Sequence, residues 1–267
     1  MVKVVYGENV TDGAGVHLNR VIGTKKLEDI DPFLLLDEFR SEDKNDYIAG
    51  FPMHPHRGFD TITYMVEGSF THKDSKGHHG SLNAGEVQWM TAGKGIIHEE
   101  MPAMENGQLW GYQLWINLPA KDKMMAPKYR HLTNATMPLV KEDGVTVKII
   151  SGDYNGTVGP IELIFPVNYF DVRLTHGTFE KELRITNLIY VHTGKVKIIA
   201  DKEIEVTAGN MAIISDFDKV RVQGKDAGFL FMSADPINEP IVRYGPFVMN
   251  TMDEIIQAVD DANDGTL

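Results

Sequence analysis

Two stretches of this chain repeat one another, and the repeat limits the fold more than any other feature. Thr63-Tyr64-Met65-Val66-Glu67-Gly68 resembles Ile189-Tyr190-Val191-His192-Thr193-Gly194, each with a Tyr four residues before a Gly. Further on, Leu82-Asn83-Ala84-Gly85-Glu86-Val87 resembles Val206-Thr207-Ala208-Gly209-Asn210-Met211. A repeat this long is a duplicated domain, not a solenoid unit. The chain has 267 residues, room for two domains of ordinary size. The repeated segments alternate with a period of two: Ile62, Tyr64 and Val66 share one face of a strand, and Thr61, Thr63 and Met65 the other. Trp110, Tyr112, Leu114, Ile116 and Leu118 alternate in the same way.

Short strands are expected at residues 2–6, 33–36, 61–66, 87–90, 96–98 and 110–118, then at 146–151, 161–165, 169–174, 188–192 and 195–200. Residues 9–15 read as a turn, 41–47 as a loop and 71–80 as a hairpin tip. Many short strands between turn signals define an all-β sandwich or barrel. Residues 119–133 break the pattern with Lys, Met and Pro and are expected to be a linker, which divides the chain into domains 1–133 and 134–267. One helix is expected, at the C-terminal end, where Thr251 and Glu254 form a capping box ahead of Ile255, Ile256 and Val259.

The chemistry concentrates between Phe51 and Pro102. Residues i and i+2 of a strand point to the same face, so His54 and His56 form one pair and His98 and Glu100 another. Two such strands side by side aim three imidazoles and one carboxylate at one point, a metal site. Pro55 donates no hydrogen bond, so its strand is expected at an edge. Glu99 alternates away from Glu100 and reads as an exposed carboxylate. His72, His78 and His79 fall in the expected hairpin tip and read as solvated residues, and His17, His131, His176 and His192 are isolated. Counted from Tyr190 and Gly209, the positions matching His54, His56 and His98 are Glu180, Glu182 and Val222. One metal site, in the N-terminal half, is the economical reading.

Composition removes several alternatives. The chain has no cysteine, so a metal must be held by nitrogen and oxygen. Its net charge is −12, which disfavours direct binding to nucleic acid. It carries neither a signal-like N-terminus nor an apolar run of membrane-spanning length, so a cytoplasmic address is expected. There is no G-x-x-x-x-G-K-[ST] phosphate loop and no G-x-S-x-G nucleophile elbow.

The runs HPHRGFDTITYMVEG, GEVQWMTAGKGIIHEEMP, QLWINLP and GPFVMNTMDEI resemble the pirin family of the cupin superfamily nearly end to end. The resemblance implies a bicupin, two double-stranded β-helix barrels packed face to face. It places the family's metal ligands on His54, His56, His98 and Glu100, with iron, Fe(2+), in the N-terminal barrel and no metal in the C-terminal one. Asp60 stands where such proteins often have Glu, which raises the question of whether it shapes the pocket.

Two functions follow from the resemblance. The first is a quercetin 2,3-dioxygenase, which opens a flavonol ring with O₂ and releases carbon monoxide. Four protein ligands leave one or two open positions on an octahedral iron, and Glu100 is the candidate general base. The second is a metal- or redox-responsive regulatory protein that binds a transcription regulator or metabolic enzyme. Other divalent first-row metals are expected to enter the same site in a purified sample.

Overall fold

Each copy of the repeat builds one seven-stranded and one four-stranded antiparallel sheet in the computed structural model, which describes residues 1–104, 107–200 and 202–267. The chain forms two units: Glu8–Asn134 with Ile237–Leu267, and Met1–Gly7 with Ala135–Pro236. In the first unit the larger sheet runs Lys128–Leu132, Val87–Thr91, Phe59–Glu67, Leu109–Asn117, Phe33–Ser41, Val16–Ile22, Glu8–Asp12. Its smaller sheet runs Phe51–His56, Ile96–Pro102, Ser69–Asp74, His79–Asn83. The second unit repeats both orders, with Thr186–Thr193 in the place of Phe59–Glu67 and Lys219–Gly224 in the place of Ile96–Pro102. The duplication read from the Tyr-Gly motifs is therefore a duplication of topology.

Most expected strands form, and the differences have local causes. Residues 9–12 pair with the strand Val16–Ile22, which confines the expected turn to the residues that follow. The expected hairpin tip shrinks to 75–78, because Phe70, His72 and Asp74 alternate inward and are buried. Residues 161–165 form no strand, only a single bridge from Ile161 to Ser151. Residues 119–133 are part of the first unit: Lys128–Leu132 pairs with Val87–Thr91. Within the same segment Lys123 is buried and donates from Nζ to Gly58 O at 2.7 Å, Asn117 Oδ1 at 2.6 Å and Val248 O at 3.0 Å. Burial pushes its pKa down to about 8.

Both chain ends depart from a division at 133 and 134. Val2–Tyr6 pairs with Asn210–Ile214 and so completes the second unit. Ile237–Leu267, with its helix Met252–Asn263, belongs to the first. The capping box forms as expected: Thr251 and Glu254 each bond the other's backbone. The helix buries Ile255 and Ala258 with Phe247 and Met249, and Asp261 accepts from Arg57 Nη2 at 2.7 Å. Gly58, one residue on, has φ +93°, and a Cβ there would lie 1.9 Å from Val248 O, so only glycine permits this approach. Among the described residues no helix is long and apolar enough to cross a membrane.

Replacing Lys123 by Met leaves three buried acceptors without their donor. Lys123→Met is expected to lower unfolding stability by roughly 2–4 kcal/mol, measured by urea titration. An unchanged midpoint would show that these acceptors find water instead.

Candidate metal centre

The strands Phe51–His56 and Ile96–Pro102 are antiparallel neighbours, with His54 opposite His98 and His56 opposite Ile96. Alternation then puts all three imidazoles on one face. Phe51–His56 is the edge strand expected from Pro55. The register slips between His98 and Glu100, so Glu100 faces Phe51.

The partners of the rings fix their tautomers. A neutral imidazole carries one hydrogen. His54 Nδ1 lies 2.8 Å from Pro52 O and His56 Nδ1 3.4 Å from Pro246 O. Carbonyls only accept, so each Nδ1 is the donor and each Nε2 is a bare lone pair. His72 Nε2 lies 3.3 Å from the Asp74 carboxylate, which leaves its Nδ1 as an acceptor for His98 Nδ1–H at 3.5 Å. His98 Nε2 is then also bare, and it is buried without a hydrogen-bond partner among the described residues. The Nε2 atoms of His54 and His56 stand 3.0 Å apart, so two lone pairs face each other. A cation among these nitrogens relieves the repulsion and satisfies His98. The donor set therefore fits a first-row divalent metal. Burial, reinforced by neighbouring imidazoles, holds His56 and His98 well below the ordinary 6.5, which keeps both neutral and able to ligate.

Two donor groups can be drawn, and His98 belongs to both. The ligating atoms of His54, His56 and His98 lie within 4.8 Å of one another, as do those of His72, His98 and Glu100. The three histidines singled out in the sequence thus come together, while Glu100 reaches the group through His98. Glu100 is buried and accepts three hydrogen bonds: Thr63 Oγ1 at 3.0 Å and Gln88 Nε2 at 2.9 Å on Oε1, and Gln113 Nε2 at 2.8 Å on Oε2. Gln113 is held in turn by Trp115 Nε1 at 3.0 Å.

His72 is a site residue, not a solvated one. It is 2 % exposed and stacks on Tyr129 at 4.6 Å, and Asp74 joins it to the half-exposed His78 at 2.8 Å. The available signal was the alternation of Phe70, His72 and Asp74. Glu99 is partly exposed. His131, His176 and His192 pair with Glu86, Asp143 and Asp171.

A cavity of about 590 Å³ opens beside the imidazoles, lined in part by His54, His56, Gln113, Trp115, Arg20 and Arg243. Asp60 does not line it, since it lies on the face of its strand opposite Thr61 and Thr63. In the second unit Val222 pairs with Phe179, and both are fully buried in an apolar core. Register therefore sets Phe179, one residue before the expected Glu180, in the place of His54. Glu180 pairs with Lys219 and Arg221 instead.

Two β-sandwich units, one with a buried imidazole group and one with an apolar interior, define a two-domain cupin protein. Residues 15–116 match the family model "Pirin" and residues 169–267 the model "Pirin C-terminal cupin domain". A pirin-like protein of Caulobacter vibrioides is 44% identical over 272 residues, covering 99% of this chain and 98% of that one. A crystal structure of quercetin 2,3-dioxygenase from Acinetobacter baumannii superposes with TM-score 0.89 at 32% identity, covering 98% and 96% of the two chains. A bacterial pirin from Escherichia coli in complex with nickel(II) shares the fold, with TM-score 0.70 at 18% identity over 88% of this chain and all of that one. The chain belongs to the pirin family.

Asp74 sets the hydrogen-bond direction through His72 to His98. Asp74→Asn can present N–H to His72 and reverse that direction, and metal affinity is expected to fall about ten- to hundredfold. Chelator competition measures the affinity, and ¹⁵N shifts of the His98 ring report the tautomer; an unmoved affinity would remove Asp74 from the site.

Burial pushes Asp60 up to about 6 from 3.8, with only partial relief from Thr91. The folded state then holds more protons than the unfolded state between these values, so stability falls as pH rises from about 4 to 6. Asp60→Asn is expected to flatten that slope and to gain on the order of 2 kcal/mol over the parent between pH 4 and pH 7. Urea titrations at both pH values test it.

Proposed function

We propose that this protein is an iron(II)-dependent dioxygenase that cleaves flavonols such as quercetin with O₂, with His54, His56, His98 and Glu100 as the metal-holding set. The observation that carries this reading is that His54 and His56 belong both to the imidazole group and to the wall of the cavity. A volume of about 590 Å³ falls within the range of roughly 300–1,000 Å³ typical of small-molecule sites. A pocket too narrow for a flavonol would favour the regulatory alternative; the volume of this one supports the enzymatic reading. Likeness to the Acinetobacter baumannii quercetin 2,3-dioxygenase points the same way.

A bound first-row metal supplies Lewis acidity and redox chemistry toward O₂. The three imidazoles would hold it, and Pro52 O, Pro246 O and His72 fix their rings from behind. Glu100 completes the set and takes the proton of the substrate hydroxyl. Its Oε2 accepts one protein hydrogen bond, from Gln113, which leaves capacity for a further partner. Gln113 stands in the cavity wall and keeps that carboxylate in place. Phe51, Trp115 and Leu35 contribute apolar surface to the wall, against which an aromatic substrate would pack.

Iron-loaded protein is expected to consume O₂ with quercetin at neutral pH. After metal is restored, Glu100→Gln is expected to stay roughly a hundredfold or more slower, the scale of a lost general base. His54→Ala is expected to lose metal and activity together. Metal analysis with an oxygen electrode separates the cases: full activity in remetallated Glu100→Gln leaves the glutamate a ligand alone, and no flavonol oxidation by the iron-loaded parent overturns the assignment.

A further inference from the structure

Two arginines stand in the wall of the cavity beside the imidazoles, and they differ in how they are neutralised. Arg20 is neutralised by two carboxylates: Nε and Nη2 hold Asp37 at 2.8 and 2.7 Å, and Nη2 holds Asp12 at 2.6 Å. Among the described residues, Arg243 has no carboxylate within ion-pair distance. Its protein acceptors are carbonyls, Leu34 O at 3.3 Å from Nη1 and Gly245 O at 3.5 Å from Nε. A guanidinium has five N–H donors. Two are used here, and the end formed by Nη1 and Nη2 keeps three.

The group is also held in place. Its Cζ lies 4.9 Å from the centroid of the Trp115 ring, whose neighbours are Phe59, stacked at 4.3 Å, and His56, edge-on at 5.0 Å. The same indole that flanks a candidate metal ligand thus backs the guanidinium. The charges that act most on Arg243 are those of Arg20, Asp37, Asp12 and Asp29. A second cavity also touches Arg243, and its wall adds Lys25, Glu28 and Asp29, with neither acid in an ion pair among the described residues. In the imidazole-lined cavity both acids are taken up by Arg20.

We propose that Arg243 is a ligand-recognition residue and that the cavity also takes an aromatic carboxylate, whose two oxygens meet the Nη1–Nη2 end of the guanidinium while its ring system extends toward His54 and His56. The planar fork matches a carboxylate in a way that no neutral group does. This goes beyond the reading above, since a flavonol carries no carboxylate; it rests only on the same cavity being a binding site for small aromatic molecules. Arg20 with its two carboxylates carries a net charge of −1, which offsets the +1 of Arg243. Recognition is therefore by contact, with little long-range attraction.

The test is equilibrium binding without O₂ to the full chain, metal-free and zinc-loaded, with 2-naphthoate and the uncharged 2-naphthamide, followed by tryptophan fluorescence. No turnover is involved, so failure of the dioxygenase reading leaves the result interpretable. The parent protein is expected to prefer the carboxylate by about tenfold or more, the scale of a charge-assisted contact. The ratio of the two affinities is the readout. Arg243→Gln is expected to bring it near one, and Arg243→Lys to keep part of it. Circular dichroism verifies the fold of each variant, and a variant that fails to fold passes the decision to the parent ratio and the other variant. A parent ratio near one, or a ratio unchanged in Arg243→Gln, overturns the proposal.

Discussion

The placement of His54 directly across from His98 on adjacent antiparallel strands is the constraint from which the rest of the site follows. Strand pairing fixes the distance between backbones, alternation fixes the shared face, and the carbonyls of Pro52 and Pro246 fix two of the tautomers. What remains is a set of nitrogen lone pairs with no hydrogen between them, one of them buried and unpartnered at His98. Such an arrangement is costly in a protein interior unless a cation or proton enters it. The outer hydrogen bonds, through His72 and Asp74 on one side and through Gln113 and Trp115 on the other, then act on orientation rather than on composition.

The second unit shows what the same scaffold does without those side chains. Its strands follow the same order, but the pair facing one another at the equivalent place is Phe179 and Val222. Phe170, Phe229 and Phe231 join them in one apolar core. A cupin interior can thus be filled in two ways, by polar groups that converge on a ligand or by aromatic packing that leaves no such groups unsatisfied. The difference lies in a few inward-facing positions, since both patterns are compatible with the same alternation.

The ends of the chain matter to the first unit in particular. Arg57 follows His56 directly, and it bonds Lys94 O at 2.6 Å and Asp261 of the C-terminal helix. Lys123 ties Gly58 to Val248. The His-Pro-His strand is therefore braced by segments far from it in sequence, including the stretch that supplies Arg243 and Pro246 to the cavity. A site built on strand ends gains rigidity from such cross-links, and a histidine group with small tolerance in its geometry needs it.

Local pattern was enough for the all-β class, the duplication, the capped helix and the convergence of His54, His56 and His98, because period-two alternation and capping are properties of neighbouring residues. Alternation also showed which residues share a face, but not which face meets the site. For that reason Thr63, Gln88 and Gln113, which hold Glu100, were not legible, and His72 was hidden in a polar run whose inward phase appears only once the strand is paired. The exchange of chain ends, the role of 119–133 and the one-residue offset that brings Phe179 rather than Glu180 inward were decided by long-range strand pairing. Sequence by itself thus determined the repeating strand chemistry and the metal-ready histidines; tertiary structure decided their register, their supports and the cavity wall, because those depend on contacts between strands that are not neighbours in the chain and, for the wall, on the distant segment that carries Arg243 and Pro246.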